Sequence, residues 1–419
     1  MAIKISGSNP VFYVCAALFL LLLAANVSAR EWYIQPSFNV KGEFDDNKRL
    51  LAQRFDAAVD KSAYGVLTSA RAKMGVRSDI YDVAFDARVD INRYFADLNL
   101  DSDDVFLDLE SSVNVTERNK FGFNGHYTRD STLTSELEVT GLVQENVPRE
   151  EWSVGPDWTY NLDESKFLQA NYSHTEVSYE QAVLNQFFDY TTDSTSISFV
   201  HQWNPALQNY ISFSALLFEV PDLRRDTREF TVNVGSEYQL SETWSASLSV
   251  GGRFTHTKLI VAQPVLPLRV VNGVFVTEDI TLLDDAQGLI FAFGTKKQFE
   301  KGAASFDFSR STTPQGNGRL QSFDKFSFSF NHKLTRHLQF LLDAGINVTS
   351  STASVNLSND RTYYYAKPIL RWNFNRQASI SGGYQFRRQE FERNKQIAVS
   401  NAVFFTFNYA WDKLTTQKF

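Results

Sequence analysis

Six histidines, His126, His174, His201, His256, His332 and His337, are the side chains best suited to move protons near neutral pH. No two of them show metal-ligand spacing on one helix, and no HExxH occurs. His332 and His337 flank a predicted turn, where solvated imidazoles are ordinary. GxSxG, the P-loop and a GxGxxG that opens a helix after a strand are all missing. Cys15 is the single cysteine, and it lies in the apolar leading segment. Thiol catalysis, thiolate metal sites and disulfides are therefore excluded from the rest of the chain. No catalytic residue, metal site or cofactor is expected.

The charged residues are more informative, because many alternate with apolar ones. Arg71, Lys73 and Arg77 fall on one face of a second predicted strand. Asp82, Asp86, Arg88 and Asp90 fall on one face of a third, and Asp108 and Glu110 on a fourth. Lys367, Arg371 and Arg387 belong to two strands near the end of the chain. If the sheet closes, the basic residues form one arc and the acidic ones the next. Two roles are open to such residues: a field that steers a solute through a polar lumen, or a ladder of cross-strand ion pairs that stiffens the wall.

The elements that must carry these residues are strands with a period of two. Val83, Phe85, Ala87, Val89 and Ile91 alternate with polar partners, as do Trp152, Val154, Trp158 and Tyr160. The pattern repeats at Trp244–Val250, Phe326–Phe330 and Leu338–Val348. In FFTFNYAW, Phe404–Trp411, it puts Phe405, Phe407, Tyr409 and Trp411 on one face and Thr406 and Asn408 on the other. Such segments outrun the usual globular strand and suit tilted strands that cross a bilayer.

Short polar turns are predicted near 78–79, 117–120, 161–165, 203–208, 240–243, 299–302, 334–337 and 374–377. Longer connections alternate with them, near 46–63, 94–104, 131–148, 181–192, 218–228, 256–281, 311–323, 350–362 and 388–398. Eight turns and nine loops predict 18 antiparallel strands, with 16 as the fallback, and both chain ends on the short-turn side. The fold class is all-β, a single-chain transmembrane β-barrel over 30–419. The last strand is expected near 399–411, closing on a first strand near 31–44, with 412–419 as a tail. The Lys48–Lys61 stretch has a helical look and belongs to a loop. Asn272-Gly273 between β-branched runs predicts a hairpin inside the longest loop.

The first 29 residues fix the route. Lys4, the apolar run Val11–Ala25 and the small-residue site Val27-Ser28-Ala29 read as a secretory signal cleaved after Ala29. A barrel exported in this way belongs in the outer membrane of a Gram-negative cell, with outer-membrane lipid and the barrel-assembly machinery as partners. Lys and Arg number 41 against 48 Asp and Glu, a net charge of −7, which argues against nucleic acid as a partner.

The stretches EWYIQPSFNVKGEFDDN and STLTSELEVTGLVQENVPREEWSVGPDWTY resemble a family of Gram-negative outer-membrane β-barrel porins found near exopolysaccharide and PEP-CTERM/exosortase genes. The resemblance is strongest over 31–180. It implies an outer-membrane location and work on surface polysaccharide or with its export components, and it brings no ligand residues. Three functions are compatible with the sequence: a pore or export channel for a hydrophilic solute, an occluded barrel that acts by binding partners, and an outer-membrane enzyme. The chemistry-bearing residues favour the first two.

Overall fold

The computed structural model describes residues 30–52, 62–95, 100–137, 146–180, 187–264, 270–271, 274–275, 277–351, 360–392 and 395–418. The leading segment with its cleavage site, most of the Lys48–Lys61 stretch, the Asn272-Gly273 turn and Phe419 lie outside them.

Strands dominate. The first half holds β1 (Arg30–Asp45), β2 (Ala63–Arg77), β3 (Tyr81–Tyr94), β4 (Ser102–Asn114), β5 (Asn119–Ser131) and β6 (Pro148–Asn161). Next come β7 (Lys166–Tyr179), β8 (Tyr190–Asn204), β9 (Leu207–Val220), β10 (Arg225–Ser241) and β11 (Trp244–Pro264). A small hairpin, β12 (Val270–Val271) and β13 (Val274–Phe275), sits apart, and its strands flank the expected Asn-Gly turn. The wall resumes with β14 (Thr277–Phe299), β15 (Gly302–Gln315), β16 (Arg319–Lys333) and β17 (Leu338–Ser351). It ends with β18 (Arg361–Asn373), β19 (Ala378–Phe391), β20 (Gln396–Ala410) and the short β21 (Leu414–Lys418).

Eighteen of these strands make one closed antiparallel barrel. Each pairs with the next along the chain, and β20 returns to β1 from Ser37–Ala410 to Asp45–Ala402. Closure gives every wall strand a neighbour on both sides for at least part of its length, the condition a lipid environment imposes on a sheet. Short turns fall at all eight predicted places, with the other connections between them. Four of the nine longer connections are at most half as long as expected. Those placed at 218–228, 311–323 and 388–398 shrink to 221–224, 316–318 and 392–395, and the one placed at 256–281 shrinks to 265–276, because the flanking strand pairs run on in register. The segment expected as a tail is a correction of a different kind. Residues 414–418 pair with Arg30–Ile34 of β1, so β21 extends the last strand past an irregularity at 411–413.

The register settles which way each side chain points. Phe405 lies opposite Gly42 and Gly382, and it is 65% exposed. Phe404, one residue away, lies opposite Glu43 and Gly383 and is 4% exposed. Antiparallel pairing carries that parity from strand to strand around the barrel and back to β1. The outer face therefore collects Phe407, Val403, Trp372, Leu370, Phe293, Leu248, Phe230, Phe213 and Ile197, all exposed. At Gly383 the packing demands glycine, since a Cβ there would stand 2.4 Å from Phe404 Cζ. Phe306, Phe326, Phe330 and Phe340 stack along the outer face, with Phe306 and Phe326 edge to face at 4.8 Å. Tyr409 and Trp411 meet edge to face at 4.7 Å on the short-turn side.

Candidate functional site: the barrel lumen

By this parity the twelve charged residues singled out in the sequence lie on the lumen face. The structure brings most of them into pairs. Arg71 Nε donates to Asp86 Oδ1 at 2.7 Å across the β2–β3 ladder, and Lys73 Nζ lies 3.5 Å from the same carboxylate. Arg77 Nε donates to Asp82 at 2.7 Å. Arg88 lies 3.4 Å from Asp90, and its guanidinium stacks 3.9 Å above the Phe106 ring. The basic and acidic residues of β2 and β3 thus form cross-strand pairs instead of two separate arcs. Lys367 sits opposite Asp343 in register, with Nζ 5.3 Å above the Phe404 ring. Arg371 lies between Gln339 and Ser381. Asp108 and Glu110 face the space across from Arg71 and Lys73.

Arg387 belongs to a different environment. It is 2% exposed, and Nη2 donates to Asp45 Oδ2 at 2.6 Å and to Ser400 Oγ at 3.0 Å. Asp45 also accepts from Ser400 Oγ at 2.7 Å and from Asn47 N at 2.9 Å. Beside it, Lys48 Nζ bonds Glu43 at 2.5 Å, Lys41 bonds the same carboxylate, and Lys41 Nζ lies 4.8 Å above Phe404. Apart from Arg387, the members of this cluster escaped sequence reasoning. Its signal was present in the alternation of Lys41, Glu43 and Asp45 with Val40, Gly42 and Phe44.

The cluster anchors a cap. Leu50 and Ala52 after β1, Leu100 before β4, Leu133 and Val147 between β5 and β6, and Phe187 before β8 gather into one buried group. They pack on Tyr363 of β18 and Ala398 of β20, so described parts of connections from β1 round to β8 meet beside the closing strands at the longer-loop mouth. A second buried group joins Leu320 of β16 to Val177, Tyr190, Phe218 and Val220 of β7–β9. Each fully buried Leu or Phe contributes about 1.5–3 kcal/mol. The cap is therefore a packed layer.

Below the cap the lumen is polar and hollow. A cavity of about 780 Å³ is lined by Tyr33, Arg71, Lys73, Asp86, Glu110 and Asp157. Across the barrel, Gln202, Gln208, Glu237, Gln239, Thr295 and Asp307 border another of about 520 Å³. At the first cavity's flank, His126 Nδ1 lies 2.5 Å from Asp108 Oδ1 and Nε2 lies 2.7 Å from Thr128 Oγ1. A hydroxyl–imidazole–carboxylate chain is the arrangement of acyl-transfer catalysts. Here Thr128 is 4% exposed, which shields its hydroxyl from any substrate carbonyl, and the three side chains act as a polar ladder. Among the described residues no cluster of His, Cys, Asp or Glu could hold a metal. On the short-turn rim, Asp163 accepts from the Ser165 hydroxyl and backbone N–H, both at 2.8 Å, and from Lys166 at 3.1 Å. These bonds hold its carboxyl well below the usual range.

No family model and no curated protein matches the chain. Solved structures with similar shape include the ferric-catecholate import receptor Fiu of E. coli K12 in its open form, at TM-score 0.48 and 9% identity over 92% of this chain and 82% of that one. Acinetobacter baumannii OccAB2 is similar at TM-score 0.45 and 11% identity, over 91% of this chain and 98% of that one. Pseudomonas aeruginosa OccK2, solved with glucuronate, is similar at 0.46 and 9%, over 90% and 98%.

Proposed function

We propose that the protein is an outer-membrane β-barrel that passes a hydrophilic solute and is seen here with its outer mouth shut. The observation that carries this reading is the contrast along the barrel axis. The lumen on the short-turn side is lined by charged, amide and hydroxyl side chains around open cavities, whereas at the other mouth the described parts of the connections pack together. An outer face of exposed Phe, Leu, Val and Trp supports a lipid setting. Amide and hydroxyl groups with nearby rings suit a carbohydrate, the solute class that the sequence resemblance also implies.

The cap itself favours a second reading, a barrel that stays occluded and acts through partners. Single-channel recording from purified protein in planar bilayers, with liposome swelling in oligosaccharides, separates the two. Steps of current and sugar-dependent swelling are expected. Silent bilayers across a wide voltage range, from protein shown to be folded, would leave the occluded reading in place.

A further inference from the structure

At one seam of the described wall, pairing stops well short of the longer-loop rim. β14 and β15 are joined from Phe299–Gly302 to Phe291–Arg310 and no further. Above that row β14 keeps β11 as far as Pro264–Thr277, and β15 keeps β16 as far as Gln315–Arg319. Neighbouring seams run to the rim: β10–β11 reaches Arg225–Leu259, and β16–β17 reaches Gln321–Ser351.

The hairpin freed from β14 folds into the lumen. Thr312 has the parity of Phe306 and Phe308, which face outward lower on β15, yet its hydroxyl bonds the Glu229 carboxylate on the inner face of β10. Arg225 Nη1 donates to Gly318 O at 2.9 Å, and Phe188 N donates to Gly316 O at 2.8 Å. Leu320 is buried among side chains of β7–β9. Gln315, Ser322 and Phe323 are buried too. The tip turns at Gly318, whose φ of 71° favours glycine. Arg310 and Asp324 form a two-pronged ion pair at 2.5 and 2.6 Å where the seam ends. The Arg310 guanidinium lies 5.6 Å above Phe291, the last β14 residue paired with β15. That arrangement clamps β15 to β16 at a pivot and docks the pivot on β14.

We infer that the tip of this hairpin, Ser311–Phe323, is a gate with two seats. In the seat observed it stops part of the mouth and leaves the β14 edge from Ile290 to Ala286 without a strand on that side. In the other it zips onto that edge, completes the wall and clears its share of the lumen. An open edge is a ready template for a strand, and the strand at hand is β15 itself. The existing register dictates the second seat: Ser311 would face Ile290, and Thr312 would face Leu289. The gate's role rests on the proposed passage of solute, but its movement does not.

The test joins Leu289→Cys to Thr312→Cys in protein reconstituted into vesicles, where Cys15 of the leading segment is the only native cysteine. Mild oxidation is expected to link the pair and to raise conductance several-fold, reversed by reductant. Failure to link, in protein whose two thiols each react with a maleimide, overturns the gate. A second variant replaces 312–322 with Asn-Gly between the register partners Ser311 and Phe323. If this shortened barrel conducts while the cysteine pair never links, the gate falls and the channel stands. If the pair links and neither variant passes current, the movement stands and the channel reading falls.

Discussion

Exchanging Phe328 for Arg should be far more damaging than the same exchange at Ser329. Phe328 sits in the outward row between Phe306 and Ala344. It lies five residues from the end of β16 at Lys333. At about 3.4 Å per residue and a tilt near 40°, that is roughly 13 Å above the end of the strand, the middle of an apolar band ~25 Å tall. An arginine held there should cost about 2–4 kcal/mol. Ser329 points into the lumen, where its hydroxyl donates to Asp343 Oδ1 at 2.9 Å. An arginine there loses that bond, worth about 1 kcal/mol, and gains a carboxylate neighbour worth about as much. The assay is guanidinium unfolding of each variant in phospholipid vesicles. Equal losses at both sites would refute the facing, since a slip of one residue exchanges the two sides of every strand.

Four further outcomes are expected. The folded protein should run faster on a detergent gel unheated than boiled, because a closed barrel resists detergent; identical mobility would count against closure. Arg387→Ala strands the Asp45 carboxylate in a buried setting and should cost about 3–5 kcal/mol in the same unfolding assay, while Arg387→Met with Asp45→Leu should recover most of it. Tyr363→Ala removes a fully buried ring from the cap and should cost about 3–5 kcal/mol, with more frequent opening in bilayer recordings. Asp163 should stay charged at pH values where an ordinary aspartate protonates. A depressed folded pKa places its stabilisation above the unfolded pKa, to be lost as pH falls through the folded value, and NMR titration of the side chain checks the direction.

The wall was legible because lipid and lumen impose opposite demands on successive residues. Val83 to Ile91 and Leu338 to Val348 display that alternation, broken only at Ala84 and Leu341 and by Gly345. Counting the polar connections between such segments leads to 18 strands, with 16 as the fallback. Partners inside the lumen were not legible, since Arg71 meets Asp86 only through the β2–β3 register, and one sequence does not state a register. The cap was hidden for another reason. Leu50, Leu100 and Leu133 stand in polar connections without periodicity, and they become a core only when strands far apart in sequence bring their loops together. The inward hairpin is the extreme case: 311–323 has the polar look of a loop, yet it keeps strand pairing while leaving the wall.

The pairing of β20 and β21 with β1 bears on how the barrel is made. Arg30 faces Lys418, so the first strand must wait for nearly the whole described chain before its second neighbour exists. Every other seam joins strands close in sequence, with low contact order, and can form as a hairpin soon after its strands emerge. The last seam carries the loop-closure entropy of the entire wall. It is also uneven, since the partner strand holds an irregularity at 411–413 between two registers. Closure should therefore be the slow step of assembly, and the C-terminal strands a clasp whose shortening retards barrel formation more than it weakens the finished barrel.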